Sequence, residues 1–184
     1  MTELAFPVPR TIALVGLMGA GKSSIGRRLA QRLKVPFTDA DSEIEVAAGA
    51  TIEEIFERHG EAAFREGERR VIARLLEGPV QVLATGGGAF MDPTTRALLR
   101  QRAISVWLRA DLDLLLSRVT RRNNRPLLKA GEPRAVLERL IAERYPVYAE
   151  ADITVETVEG PPDATLDRVI EALAAFTGAP AVAS

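Results

Sequence analysis

Cysteine is absent from the 184-residue sequence, which excludes disulfides and thiolate metal sites and accords with a reducing cytoplasm. An excess of either charge is also missing. With 24 lysines and arginines against 25 aspartates and glutamates, the net charge of -1 gives no global attraction to nucleic acid or to an anionic membrane. Any site for a polyanion must therefore be local. The segment Met1 to Pro9 has neither the cationic start nor the apolar centre of a secretion signal, and no run approaches the roughly 18 apolar residues of a membrane span. Aromatic residues make up only 5%, and none interleaves the basic cluster Arg118, Arg121, Arg122 and Arg125, so the cluster lacks the stacking platforms that RNA binding uses. The one histidine, His59, precedes Gly60 at a predicted helix end, without evident partners for a metal. The expectation is a soluble cytoplasmic protein of one domain over 1–184, with a sizeable core.

What is present starts with Gly16-Leu17-Met18-Gly19-Ala20-Gly21-Lys22-Ser23, which fits the phosphate-binding pattern G-x-x-x-x-G-K-[ST]. It follows the apolar run Thr11 to Val15, read as a buried strand, and precedes a helix-period segment from Lys22 to Leu33. Strand, loop and helix stand in the required order. Glycines let successive backbone N–H groups converge on a polyphosphate, Lys22 adds a point charge, and the Ser23 hydroxyl suits Mg²⁺. The helix N-terminus adds its positive end, so Gly19, Ala20, Gly21, Lys22, Ser23 and Ser24 are the candidate nucleotide-binding residues.

Further strand-like runs occur at Val35–Thr38, Val80–Ala84, Ile104–Leu108 and Ile153–Val155, with helical periods between them. This alternation predicts an α/β fold with a mostly parallel sheet. Thr51-Ile52-Glu53-Glu54 reads as a capping box for a short helix ending at His59-Gly60, and a longer helix is predicted from about Glu61 to Leu76. Other helices are predicted over Ser42–Ala48, Pro93–Gln101, Asp111–Thr120 and Leu166–Phe176, and a frayed tail over 178–184.

Two acids, Asp39 and Asp41, end the second strand and would share one side of it, aimed at the ligand crevice of a parallel sheet. Asp41 could instead cap the following helix. The run Val80–Ala84 ends in Thr85-Gly86-Gly87-Gly88 rather than in a metal-associated aspartate. That glycine triplet is either a tight turn using positive φ or a bare surface on which a small ligand can lie. Arg65 and Glu68, three apart, share a helix face on which they could grip an acid and a hydroxyl, although a surface pair of Arg65 with Glu61 is the simpler reading. Gly67 in mid-helix costs about 1 kcal/mol relative to alanine, and the sequence offers no reason for it.

In order, the phosphate loop, Asp39-x-Asp41, Phe64-Arg65-x-x-Glu68, Gly86 to Gly88, Arg125-Pro126-Leu127-Leu128 and Arg144 within Glu143-Arg144-Tyr145-Pro146-Val147-Tyr148 resemble the shikimate kinases. The ordered set spans Gly16 to Tyr148. The resemblance implies a P-loop NTPase fold with a five-stranded parallel sheet flanked by helices and a mobile lid at about 121–132. It also implies transfer of the ATP γ-phosphate to the 3-hydroxyl of shikimate, with Mg²⁺, and the expectation is a monomer or a weakly associated oligomer.

By that resemblance Lys22, Asp41 and Arg125 are catalytic, and Ser23 and Asp39 reach the metal. Arg65 and Arg144 clamp the shikimate carboxylate, Gly87 and Gly88 supply backbone contacts, and Glu68 supports the pocket. Arg118 lies against adenine, with the turn Val158 to Pro162 as the other wall. That turn, Glu159-Gly160-Pro161-Pro162, lacks a basic residue. Tyr145 and Tyr148 would pack around Arg144 without chemistry. Two other readings remain open at this point: a kinase of gluconate or of a nucleoside monophosphate, and a regulatory nucleotide-binding module. The paired arginines favour an acid over a neutral sugar, and no expected acid or lid arginine is missing.

Overall fold

Short apolar runs bounded by glycine, proline or aspartate become strands, and the 3.6-residue periods between them become helices. The computed structural model describes residues 2–4, 8–120, 132–178 and 181–183. The lid predicted at about 121–132 lies outside the described residues except for Glu132, and Arg125 lies outside with it. The first half of the chain runs β1 (Thr2–Leu4), β2 (Thr11–Val15), α1 (Lys22–Leu33), β3 (Phe37–Asp39), α2 (Ala40–Ala48), α3 (Ile52–Leu76) and β4 (Val82–Ala84). After a 3₁₀ turn at Ala89–Met91 come α4 (Pro93–Arg102), β5 (Ala103–Arg109), α5 (Leu112–Thr120), α6 (Pro133–Tyr148), β6 (Ile153–Glu156), α7 (Pro162–Thr177) and β7 (Ala181–Ala183).

Five strands pair in the order β3-β4-β2-β5-β6, and every pairing is parallel. The central strand, β2, is buried along its whole length because helices cover both faces, which is why it reads as an unbroken apolar run. From β2 the chain crosses to one side for β3 and β4, then returns to the other for β5 and β6. The crevice outside the carboxyl end of β2 is therefore a topological switch point, where parallel sheets bind ligands. Helices α1 and α7 are joined by a salt bridge from Arg32 to Asp167 at 3.1 Å. Among the described residues no helix is long and apolar enough to cross a membrane.

Several boundaries depart from the sequence reading, each for a local reason. Helix α2 starts at Ala40 rather than Ser42, and its cap is Asp39, whose Oδ1 accepts from the amides of Asp41 (2.9 Å) and Ser42 (3.3 Å). Asp41 therefore neither ends a strand nor caps the helix; it sits in the helix's first turn. The capping box at Thr51 forms as predicted, with Glu54 N donating to Thr51 Oγ1 and Thr51 N to Glu54 Oε2, both at 3.1 Å. The helix it opens is interrupted at Gly60, where φ 82° and ψ 173° break the ladder at the predicted helix end, and it then resumes to Leu76. Where a frayed tail is predicted, Ala181–Ala183 pair antiparallel with Thr2–Leu4. Nothing in the structure explains Gly67, whose missing Cβ would meet nothing within 4 Å.

Candidate active site

The phosphate loop takes a shape that demands its glycines. Gly16, Gly19 and Gly21 have φ of 149°, 83° and 96°, and a Cβ on Gly16 would lie 2.9 Å from the Leu108 carbonyl oxygen. Left-handed backbone turns the loop amides inward, toward the N-terminus of α1. Lys22 is the first residue of that helix, and its Nζ donates to the carbonyls of Gly16 (2.6 Å) and Leu17 (3.0 Å), which holds the ammonium over the loop. Ser23 follows, and its hydroxyl donates to Asp39 Oδ2 at 3.0 Å. Asp39 thus fastens α2 with one oxygen and meets the phosphate loop with the other.

Beside the phosphate loop, the turn after β4 carries Gly86, Gly87 and Gly88; a Cβ on Gly87 would lie 3.8 Å from Gly16 O and from Met18 N. None of the three has a positive φ, so the reading of the triplet as a conformational device is not the reason for it. Close approach is. A Cβ on Gly86 would stand 2.7 Å from Asp41 Oδ1, one on Gly87 would stand 3.2 Å from Arg144 Nη1, and one on Gly88 would stand 2.6 Å from Arg65 Cζ. Three candidate site residues from three helices rest on three bare α-carbons. An alanine at any of them would push the corresponding head group aside, although the backbone itself would accept it.

The electrostatics of this wall follow from burial. Glu68 is 2% exposed, and burial pushes its carboxyl above the usual carboxylate range, opposed by the Arg65 guanidinium at 2.9 Å. Arg65 therefore does make its pair with Glu68, while the contact to Glu61 is looser at 3.8 Å. That pairing fixes the guanidinium against Gly88. Arg69, one residue beyond Glu68, pairs with Asp92, which also caps α4 and so docks α3 onto the segment after the glycine turn. Arg144, whose head group rests on Gly87, lines the same cleft, and its buried Nη1 lacks a hydrogen-bond partner among the described residues. A buried guanidinium nitrogen without an acceptor is costly, and an anion in the cleft would satisfy it.

Phosphate loop and glycine turn both line an open cleft of about 1270 Å³. At its other end Arg118 spans three segments. Its Nη1 donates to the carbonyls of Gly19 (3.0 Å) and Ala20 (3.2 Å), and its Nη2 to that of Val158 (3.4 Å). This joins α5, the phosphate loop and the turn after β6, where the sequence expects the adenine walls. Of the predicted site residues, only Arg125 falls outside the described residues; the structure brings the others to this one cleft. Sequence reasoning assigned Tyr148 to packing alone. Its ring is fully buried, against Trp107 and Phe90, but its hydroxyl donates to the Gly87 carbonyl. The signal available for it was spacing: Arg144 and Tyr148 are four apart, one helical turn.

Against known proteins, residues 18–174 match the family model described as "Shikimate kinase". A shikimate kinase of Paramagnetospirillum magneticum is 61% identical over 169 residues, covering 92% of this chain and 87% of that protein. A shikimate kinase of Bradyrhizobium diazoefficiens is 58% identical over 166 residues, covering 90% and 80%. Among solved structures, a shikimate kinase from Acinetobacter baumannii in complex with shikimate superposes with a TM-score of 0.86 at 43% identity, covering 95% of this chain and 96% of that one. A gluconokinase from Sinorhizobium meliloti shares the fold, with a TM-score of 0.63 at 20% identity.

Proposed function

This chain belongs to the shikimate kinase family, and from that membership we propose that it transfers the γ-phosphate of ATP to the 3-hydroxyl of shikimate, yielding shikimate 3-phosphate and ADP on the route to chorismate and the aromatic amino acids. The observation that carries the proposal is the pair of guanidiniums of Arg65 and Arg144 lying on Gly88 and Gly87, with the Asp41 carboxylate on Gly86 beside them. That spacing offers one face to a carboxylate and the next position to a hydroxyl of the same small ring. A neutral sugar would leave the buried Arg144 Nη1 without an acceptor.

In the proposed reaction, the loop amides from Gly19 to Ser24 and Lys22 hold the phosphates, and Arg118 buttresses the loop from the base side. Arg65 and Arg144 grip the carboxylate, Glu68 keeps Arg65 in register, and Gly87 and Gly88 meet the ring through backbone. Asp41 orients the 3-hydroxyl and accepts its proton as the oxygen attacks, while Arg125 comes to the transferring group from the lid. Phosphoryl transfer gains mainly from such alignment and charge neutralisation. Mg²⁺ belongs with this reading because Ser23 and Asp39 present hard oxygen donors side by side, at 3.0 Å, next to the phosphate loop. Bound there, the ion would neutralise phosphate charge. The same reading has the enzyme act as a cytoplasmic monomer.

The test is ADP release with ATP and Mg²⁺ and separate additions of shikimate, gluconate, AMP and CMP. Release with shikimate alone is expected; release only with a nucleotide acceptor would overturn the proposal. A sharper probe is Gly88→Ala. At φ -96° and ψ -6° alanine fits the backbone, so the melting temperature should hold, but the new methyl displaces the Arg65 guanidinium. The KM for shikimate is expected to rise about 10-fold or more, as for a lost hydrogen bond to a charged group, with the KM for ATP unchanged. An unaltered shikimate KM would remove Arg65 from the clamp.

A further inference from the structure

The glycine turn has a conformation that its sequence does not favour, and one buried side chain accounts for it. Ala89 N donates to Gly86 O at 3.2 Å, so residues 86–89 form a β-turn with Gly87 and Gly88 at its centre. Gly88, at φ -96° and ψ -6°, gives the third position of a type I turn. Glycine at that position is the residue that type II prefers, with positive φ. The two types differ by a flip of the central peptide, which exchanges the directions of the Gly87 C=O and the Gly88 N–H. In a trans peptide those two groups point opposite ways.

From these contacts we infer that Tyr148 is a positioning residue for the acid substrate: its hydroxyl, by holding the Gly87 carbonyl, locks the Gly87–Gly88 peptide so that the Gly88 N–H faces the cleft. Tyr148 is fully buried and stands on the core side of the turn, whereas Gly87 and Gly88 line the cleft. The locked orientation offers a donor to an anion gripped by Arg65 and Arg144; the flipped one would offer a carbonyl oxygen and repel it. Burial pushes the Tyr148 phenol above its usual pKa, opposed by nearby Arg144, so it stays protonated and donating across the physiological range. Helix α6 thus delivers two groups to one peptide, Arg144 from one turn and Tyr148 from the next. This inference rests on the proposed reaction with shikimate.

The experiment compares Tyr148→Phe with Tyr145→Phe. Tyr145 is a fitting control because its hydroxyl also donates to a backbone carbonyl, that of Ala110, from the same helix but away from the glycine turn. Tyr148→Phe is expected to raise the KM for shikimate about 3- to 10-fold, the scale of one neutral hydrogen bond, with the KM for ATP unchanged. Tyr145→Phe should leave both constants within about 2-fold. Equal effects of the two variants, or an unchanged shikimate KM in Tyr148→Phe, would overturn the inference. If Tyr148→Phe does not fold, the wild type labelled with ¹⁵N-glycine decides: shikimate should move the Gly88 amide resonance downfield, and an unmoved resonance would overturn the lock. Failure of the wild type to use shikimate at all would instead strike the proposed reaction.

Discussion

Asp41→Asn is expected to lower kcat for shikimate phosphorylation by at least about 10²-fold, the lower scale for a lost acid/base contact, while the KM for ATP barely changes. The substitution keeps the shape of the side chain and removes the negative charge that, in the proposed reaction, orients and deprotonates the attacking hydroxyl. Two features of the structure make the result interpretable. The cap of α2 is Asp39, so the helix start survives the change, and only a favourable first-turn charge of roughly 0.3–1 kcal/mol is lost. The neighbouring carboxyl, Glu68, is engaged with the Arg65 guanidinium at 2.9 Å, so it is poorly placed to take over as base. A variant with near wild-type kcat would show that Asp41 serves the helix terminus alone.

Asp41 also shows where sequence reasoning stops. The residue and its neighbourhood were legible: a pair of acids, after a strand, in a chain with a phosphate loop. Their geometry was not, because a period-2 argument holds only while the strand lasts, and the strand ends at Asp39. Local signals of the same kind served well elsewhere. The capping box at Thr51 and the break at Gly60 are both decided within a few residues, and both form where the sequence puts them. The glycine triplet marks the opposite limit. Glycine's freedom of φ is a local property, but the turn uses its lack of a side chain, which depends on residues 41, 65 and 144 arriving from elsewhere. Tyr148 and Gly87 are 61 positions apart, and Arg118 reaches Gly19 across 99. Contacts of that range are fixed by the order of strands in the sheet, which periodicity does not encode.

Lys22→Met should reduce kcat by about 10²- to 10³-fold, the scale for removing one preorganised donor from developing charge. The methionine stem fills the same space, so the loss isolates the ammonium. Its position argues for a role in the transition state rather than in nucleotide capture alone. The Gly16 and Leu17 carbonyls hold Nζ at 2.6 and 3.0 Å, which fixes a point charge over the loop at the cost of little reorganisation during transfer. The loop amides and the N-terminus of α1 remain in the variant and still attract polyphosphate. The KM for ATP should therefore rise by much less than kcat falls. Lys22→Arg keeps the charge, but a planar guanidinium cannot sit where a tetrahedral ammonium meets two carbonyls, so it should recover only part of the rate. Were Lys22→Met to raise the KM for ATP at unchanged kcat, Lys22 would be binding ground state and transition state alike, and the charge neutralising the transferring group would have to come from elsewhere in the cleft.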